Sequence, residues 1–173
     1  MSEWNTSVHI RWMIRSDMPQ VLEIERQDGL KDGLKWCWTE EDFLRVLRQK
    51  NVIGMVAELG DTVAGFMIYD LGKTRLRIMN FAVHREFIRT GIGSQMMAKL
   101  IEKLSNHRRT KISMGLHERD LVGQLFLKSQ GFRAVRIVRN DHTDEDVYMM
   151  EYSLVRELAN GERSDNARSC DSA

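Results

Sequence analysis

The sequence predicts an α/β (α+β) fold in which a mixed, mostly antiparallel central sheet of about seven strands is flanked by helices. Three stretches predict it. Two strand-like runs, 52–59 and 62–69, are separated by only Gly60-Asp61, the two-residue connection of an antiparallel hairpin. The run 75–83 alternates, is rich in branched and aromatic residues, and leads through Gly91-Ile92-Gly93 into an amphipathic helix. A strand-helix-strand unit follows, with its helix stopped by Gln130-Gly131-Phe132.

Taken in order, residues 9–14 alternate enough for a first strand. Ser16-Asp17 before Met18-Pro19 then supplies a capping side chain and a proline in the first turn, where its missing N–H does little harm. Val21, Leu22 and Ile24 continue that helix, and the glycines within 27–34 break the period and read as a loop. Thr39-Glu40-Glu41-Asp42 is a capping-box pattern ahead of Phe43, Leu44, Val46 and Leu47, so a second helix starts there. In the helix after the two glycines, Met97, Leu100, Ile101 and Leu104 share one face and Lys99, Glu102 and Lys103 the other. A strand over 110–117, a helix over about 120–130, and strands near 132–138 and 147–154 complete the series. In the last helix Leu121, Leu125 and the pair Val122/Phe126 form the expected apolar stripe, with Leu127 beside it. Residues 159–173 carry almost nothing apolar and read as a disordered tail, which leaves 1–158 as one domain.

A chain of 173 residues can bury roughly 70% of the surface that its unfolded form exposes, so it needs no covalent staples. Cys37 and Cys170 show neither a disulfide framework nor metal-ligand spacing, and a reducing, cytoplasmic setting is the expectation. The first residues lack the charged and apolar regions of a signal peptide, and no apolar run approaches the ~20 residues that cross a bilayer. A net charge of +1 gives no field that demands nucleic acid. The basic stretches 73–77 and 107–111 lack the interleaved aromatics that stack bases and read as solvated faces.

The segment from Phe81 to Ser94 carries the chemistry. A strand ends, glycines at 91 and 93 let the backbone approach a ligand closely, and the helix that begins there directs unpaired N–H groups and its positive dipole end outward. A diphosphate suits such a place. The dinucleotide and nucleoside-triphosphate fingerprints are absent, since there is no third glycine and no Gly-Lys-Ser/Thr ending.

This order of elements resembles the GNAT acetyltransferase fold over about residues 9–154. Within it the chain is most similar to the branch that acetylates the N-terminal alanine of a ribosomal protein. The likeness is carried by Ile24-Glu25, Trp38-Thr39-Glu40-Glu41-Asp42-Phe43, Met79-Asn80-Phe81-Ala82-Val83 and the stretch from Leu125 to Phe132. The resemblance implies a sheet with a splayed centre and an acetyl-CoA-dependent N-acetyltransferase. Acetyl-CoA would be the co-substrate, the acceptor a primary amine such as a protein N-terminus, and transfer direct; a CoA-binding or acyl-CoA-sensing protein without catalysis is the alternative. It further implies that Phe81, Ala82 and Val83 pair with the pantetheine amides, that Arg89, Thr90, Gly91, Ile92, Gly93 and Ser94 cradle the diphosphate, and that Asp120 stands where an asparagine contacts the cofactor. Four positions depart from the family pattern. Ile88 replaces a side-chain donor of the loop and Arg85 a common proline, while the branch's glutamate base and tyrosine acid correspond to Gly115 and Leu127. Strand alternation puts His117 on the face of Gly115, about 6 to 7 Å along, and its ordinary pKa suits proton transfer near neutrality. His117 is therefore either the candidate base or an ordinary polar residue at a strand end; Glu118, Tyr69 and Tyr148 rest on residue type alone. Four carboxylates within 140–146 suit a cationic acceptor or simply a solvated loop.

Overall fold

In the computed structural model, which describes residues 8–29, 37–139 and 146–154, the Gly60-Asp61 turn closes a hairpin between β2 (Val52–Leu59) and β3 (Thr62–Leu71). Leu59 faces Thr62, and Gly60 takes φ +60°, as a tight turn demands. The remaining strands are β1 (His9–Trp12), β4 (Arg75–Val83), β5 (Lys111–His117), β6 (Arg133–Arg139) and β7 (Asp146–Ser153). They form one sheet in the order β1-β2-β3-β4-β5-β7-β6, in which only β4 and β5 run parallel. The helices are α1 (Met18–Gly29), α2 (Glu40–Leu47), α3 (Ile92–Ile101) and α4 (Leu121–Ser129).

Several boundaries differ from expectation for local reasons. β1 stops at Trp12 because the Asp17 carboxylate accepts the Ile14 N–H (2.8 Å) and winds residues 15–17 into a short 3₁₀ turn ahead of α1. That carboxylate is gripped by both terminal nitrogens of Arg11 (2.7 and 2.8 Å), which also holds Glu58 of β2, and the pairing keeps Asp17 below the usual carboxylate range. α1 runs on through Gly29 into the stretch expected to be loop, and the rest of that stretch lies outside the described residues. The Thr39 capping box forms as expected: its hydroxyl accepts the Asp42 N–H, and the Asp42 carboxylate accepts the Thr39 N–H (2.9 Å).

The sheet carries a helical layer on each face. On one face Met67, Leu76, Ile78, Ile112 and Leu116 pack with Ile92, Met96, Met97 and Leu100 of α3 and with Leu127 and Phe132. On the other, Val56, Phe66, Ile68 and Ala82 pack with Val21 and Ile24 of α1 and Phe43 of α2, where Trp38, Phe43 and Phe66 meet edge to face. The stripe expected on α4 is corrected here. Leu121, Val122 and Leu125 are 63%, 77% and 67% exposed, and Leu127 is buried at 1%. The left-handed turn at Gly131 sends Phe132 straight back into the core, with its N–H on the Leu127 carbonyl (3.0 Å), so the last turn of α4 is drawn inward and the first is not.

Two irregularities of β4 shape everything near the loop that follows it. Ile68 faces Asn80 while Tyr69 faces Ile78, so Met79 is an extra residue, a β-bulge. Strict alternation would place Asn80 and Ala82 with Leu76 and Ile78. The bulge instead turns Asn80 and Ala82 toward α1 and returns Phe81 and Val83 to the α3 side. The second irregularity is a short parallel register: β4 pairs with β5 only from Arg75 to Ile78, against Lys111 to Met114, and the strands then diverge.

Glu25, only 5% exposed, anchors the bulged strand. Its carboxylate accepts the Trp38 N–H (2.8 Å) and the Asn80 amide (3.0 Å), joining α1, the approach to α2 and β4. Burial nevertheless pushes its pKa up, against the two hydrogen bonds that hold it down. Removing the carboxylate leaves two donors unsatisfied, so Glu25→Ala should lose about 1 to 3 kcal/mol in urea unfolding. Because the folded form holds the proton more tightly than the unfolded chain, Glu25 makes stability fall as pH rises from the ordinary glutamate value through the raised one. Glu25→Gln should flatten that slope in unfolding curves taken at successive pH values.

Candidate active site where β4 and β5 part

The segment after β4 is wound tightly. The His84 N–H reaches back to the Ala64 carbonyl (2.8 Å), and Phe87 N–H bonds the His84 carbonyl (2.8 Å). The Thr90 hydroxyl donates to the Phe87 carbonyl (2.6 Å), while α1 holds the start of the turn through the Arg85 N–H on Gln27 Oε1 (3.2 Å). Arg89 takes φ +66°, uncommon for a residue with a side chain, and Gly91 takes φ +88° as the N-terminal cap of α3. These two left-handed residues reverse the chain so that the first turn of α3 opens where β4 ends.

The two glycines serve different physical needs. A Cβ on Gly91 would meet nothing within 4 Å, so the backbone conformation and not crowding calls for glycine there. A Cβ on Gly93 would lie 3.3 Å from the Phe126 ring and 3.5 Å from Phe81, so that glycine admits the aromatic pair Phe81 and Phe126, whose centroids are 5.6 Å apart. No side chain caps α3 at Gly91, and the N–H groups of its first turn, Ile92, Gly93 and Ser94, have no acceptor within the helix. Ser94 ties α3 to the end of α4, accepting from the Gln130 amide (3.1 Å). Uncapped donors, a positive dipole end and open space together suit an anion.

The neighbouring backbone is open as well. Phe81, Ala82 and Val83 pair on one side with Met67, Phe66 and Gly65 of β3, whereas beyond Ile78 their other side has no register with β5. An extended polar ligand could occupy that edge as a strand would.

Of the remaining sequence-predicted positions, Asp120 caps α4, accepting the Gly123 N–H (2.8 Å), and a Cβ on Gly123 would lie 2.3 Å from its Oδ2. Its carboxylate is thus occupied locally. The turn from His117 to Asp120 is stitched by the Gln124 amide, which donates to the His117 and Glu118 carbonyls (3.0 and 3.1 Å). His117 closes β5 opposite Val147, on the face of Gly115 as alternation requires. Leu127 lies in the main core and not at its margin. Tyr69 is buried in that same core, where desolvation raises its phenol, so it is no accessible base. The acidic stretch 140–145 and the tail 159–173 lie outside the described residues. The buried Glu25–Asn80 contact escaped the sequence reading; a polar Asn80 inside an apolar strand was the signal for it.

Comparison with known proteins places this geometry. The model of the Acetyltransferase (GNAT) family matches residues 13–132. No curated protein matches the sequence. Among solved structures, the ribosomal-protein-S18-alanine N-acetyltransferase from Escherichia coli is similar at TM-score 0.72 and 18% identity, covering 89% of this chain and 98% of that one. Ard1 from Thermoplasma volcanium gives 0.72 at 22% identity, covering 86% and 99%. Arabidopsis thaliana NAA60, solved with acetyl-CoA, gives 0.70 at 14% identity, covering 85% and 99%. These identities speak to the fold, and the family model spans well over half of the sequence: the chain belongs to the GNAT acetyltransferase family.

Proposed function

We propose that this protein is an acetyl-CoA-dependent N-acetyltransferase that passes an acetyl group directly to a primary amine. The observation that carries the reading is the juxtaposition of the uncapped α3 N-terminus with the open edge of Phe81–Val83, where β4 leaves β5. Acetyl-CoA would bring a diphosphate to the first, two amides to the second, and an activated thioester beyond them. Backbone N–H groups of Ile92, Gly93 and Ser94 hold the diphosphate, with Arg89 and Thr90 beside them, so Ile88 in place of a side-chain donor removes one contact and leaves the rest. Asp120 acts in this reading by fixing the start of α4.

Chemically, the amine nitrogen bonds the acetyl carbon as the carbon–sulfur bond breaks. The nitrogen gives up a proton and the departing thiolate gains one. Gly115 and Leu127 move no proton, which leaves His117 as the candidate to take the first; solvent supplies the second. Alignment alone contributes up to ~7 to 11 kcal/mol in favourable systems, and acid-base assistance typically 10²- to 10⁴-fold, so loss of the family pair slows transfer without forbidding it. The same two positions support the second reading, a CoA-binding or acyl-CoA-sensing protein without catalysis.

Calorimetry should detect acetyl-CoA binding, and its absence at saturating ligand would defeat both readings. Gly91→Val should abolish binding and lower the melting temperature, because a branched side chain is strained at φ +88° even where the space at its Cβ is open. Gly93→Val should abolish binding and also lower the melting temperature, because the new side chain meets Phe126 and Phe81. Where transfer is measured, His117→Ala should lower kcat/KM by about 10²-fold with little change in acetyl-CoA affinity. An unaltered rate in His117→Ala removes the histidine from the mechanism.

A further inference from the structure

The geometry points to an acceptor whose amine is attached to an apolar group, and it assigns that preference to Gly115 together with Val147 and Met149. This rests on the transfer reading above. If the diphosphate lies on the α3 side of the sheet, the gap between β4 and β5 leads to the opposite face, where α1 and α2 pack. Their apolar cluster contains no residue of β5, β6 or β7. On the β5 portion of that face Ser113 is buried, and Gly115, the next residue on the same side, is exposed.

Register says what surrounds Gly115. It faces Met149, which in turn faces Arg136, and the next row is His117, Val147 and Val138. A Cβ on residue 115 would lie 3.1 Å from Val147 Cγ1 and 3.3 Å from Met149 Sδ. Both side chains thus lean across β5 over the position where the resembled branch carries its carboxylate. Glycine here makes room for an apolar floor and does not leave a hole. Met79 of the bulge, packed at the margin of the α1 and α2 cluster, borders the same gap from β4.

Among the described residues, charges on this face do not favour a bare ammonium. Glu151, one row beyond Gly115, is bonded by Lys111 (2.7 Å) and approached by Arg75 (4.0 Å). Arg136 adds a positive charge, and the Glu25 carboxylate is engaged by Trp38 and Asn80. An apolar floor also lowers the pKa of an arriving ammonium by desolvation, which frees the nucleophilic lone pair where no family glutamate can take the proton. The adaptable methionine side chain accommodates apolar groups of different shape.

The test measures acetyl transfer from acetyl-CoA to peptides differing only in their first residue, Leu or Met against Gly, Asp or Lys, with hexylamine as the non-peptide arm. The expected result is a kcat/KM at least about 10-fold higher for Leu and Met, since one small apolar group is worth that much in a matching site. Met149→Gln should reduce this ratio to about threefold or less with acetyl-CoA affinity unchanged. Hexylamine matching the Leu peptide identifies the apolar group itself as the determinant; a Leu peptide far ahead of hexylamine shows that peptide backbone is read as well, and both outcomes support the proposal. Equal rates across the panel, a preference for Gly, Asp or Lys, or a ratio indifferent to Met149→Gln overturns it. Calorimetry of the same peptides on the CoA complex reads the preference without turnover, and CoA binding without an apolar preference overturns this inference alone. Failure to bind acetyl-CoA at all overturns the transfer reading with it.

Discussion

β4 has one more residue than β3 offers partners for, and the rest of the site depends on how that residue is absorbed. The bulge at Met79 rotates the end of the strand, so that Asn80 meets Glu25 on one face while Phe81 meets Phe126 on the other. Directly after the last paired residue, Ile78, β4 and β5 separate. An exposed strand edge normally invites another strand. Inside this sheet the opened edge is flanked by α3 and α4 on one side and α1 on the other, and on the proposed reading it takes a narrow extended ligand. The buried Glu25 carboxylate holds the bend from α1 despite its desolvation, because two donors converge on it.

The proposed anion cradle follows from the same bend. With Phe81 directed toward α4, its ring and that of Phe126 occupy the space a side chain on residue 93 would need, and a glycine is required for α3 to start so close. Gly91 then reverses the chain in a left-handed conformation, and no side chain caps the helix that follows. The two positions that the resemblance aligns with a proton-transfer pair serve packing here: Leu127 lies in the core and Gly115 admits Val147 and Met149. On the proposed reading, the parts that would position a thioester are present and the parts that would meet the amine differ from the resembled branch.

The features that were legible in the sequence are those that local chemistry decides. Gly60-Asp61 admits little except a hairpin, Thr39 and Asp42 cap one another across three residues, and Gly91 with Gly93 opens a helix. Features decided by distant partners were not legible. Nothing in 75–83 marks Met79 as extra, because the surplus exists only relative to β3. In α4, Leu121, Val122, Leu125, Phe126 and Leu127 are apolar on too many sides for periodicity to choose a buried face, and the turn at Gly131 chooses it instead. Glu25 looks like an ordinary helix-end charge until Trp38 and Asn80 are brought to it. Gly115 could be seen as a missing base, but its role as a seat for Val147 and Met149 depends on β7, some thirty residues away in sequence.

Backbone amide hydrogen exchange, with and without acetyl-CoA, tests the account most directly, because it reads the very groups assigned to the ligand. Slowed exchange is predicted in the segments spanning Phe81–Val83 and Ile92–Ser94 together, with β6 unaffected. Binding that leaves both segments unprotected, or that protects a distant surface, would contradict the placement of the site at the divergence of β4 and β5.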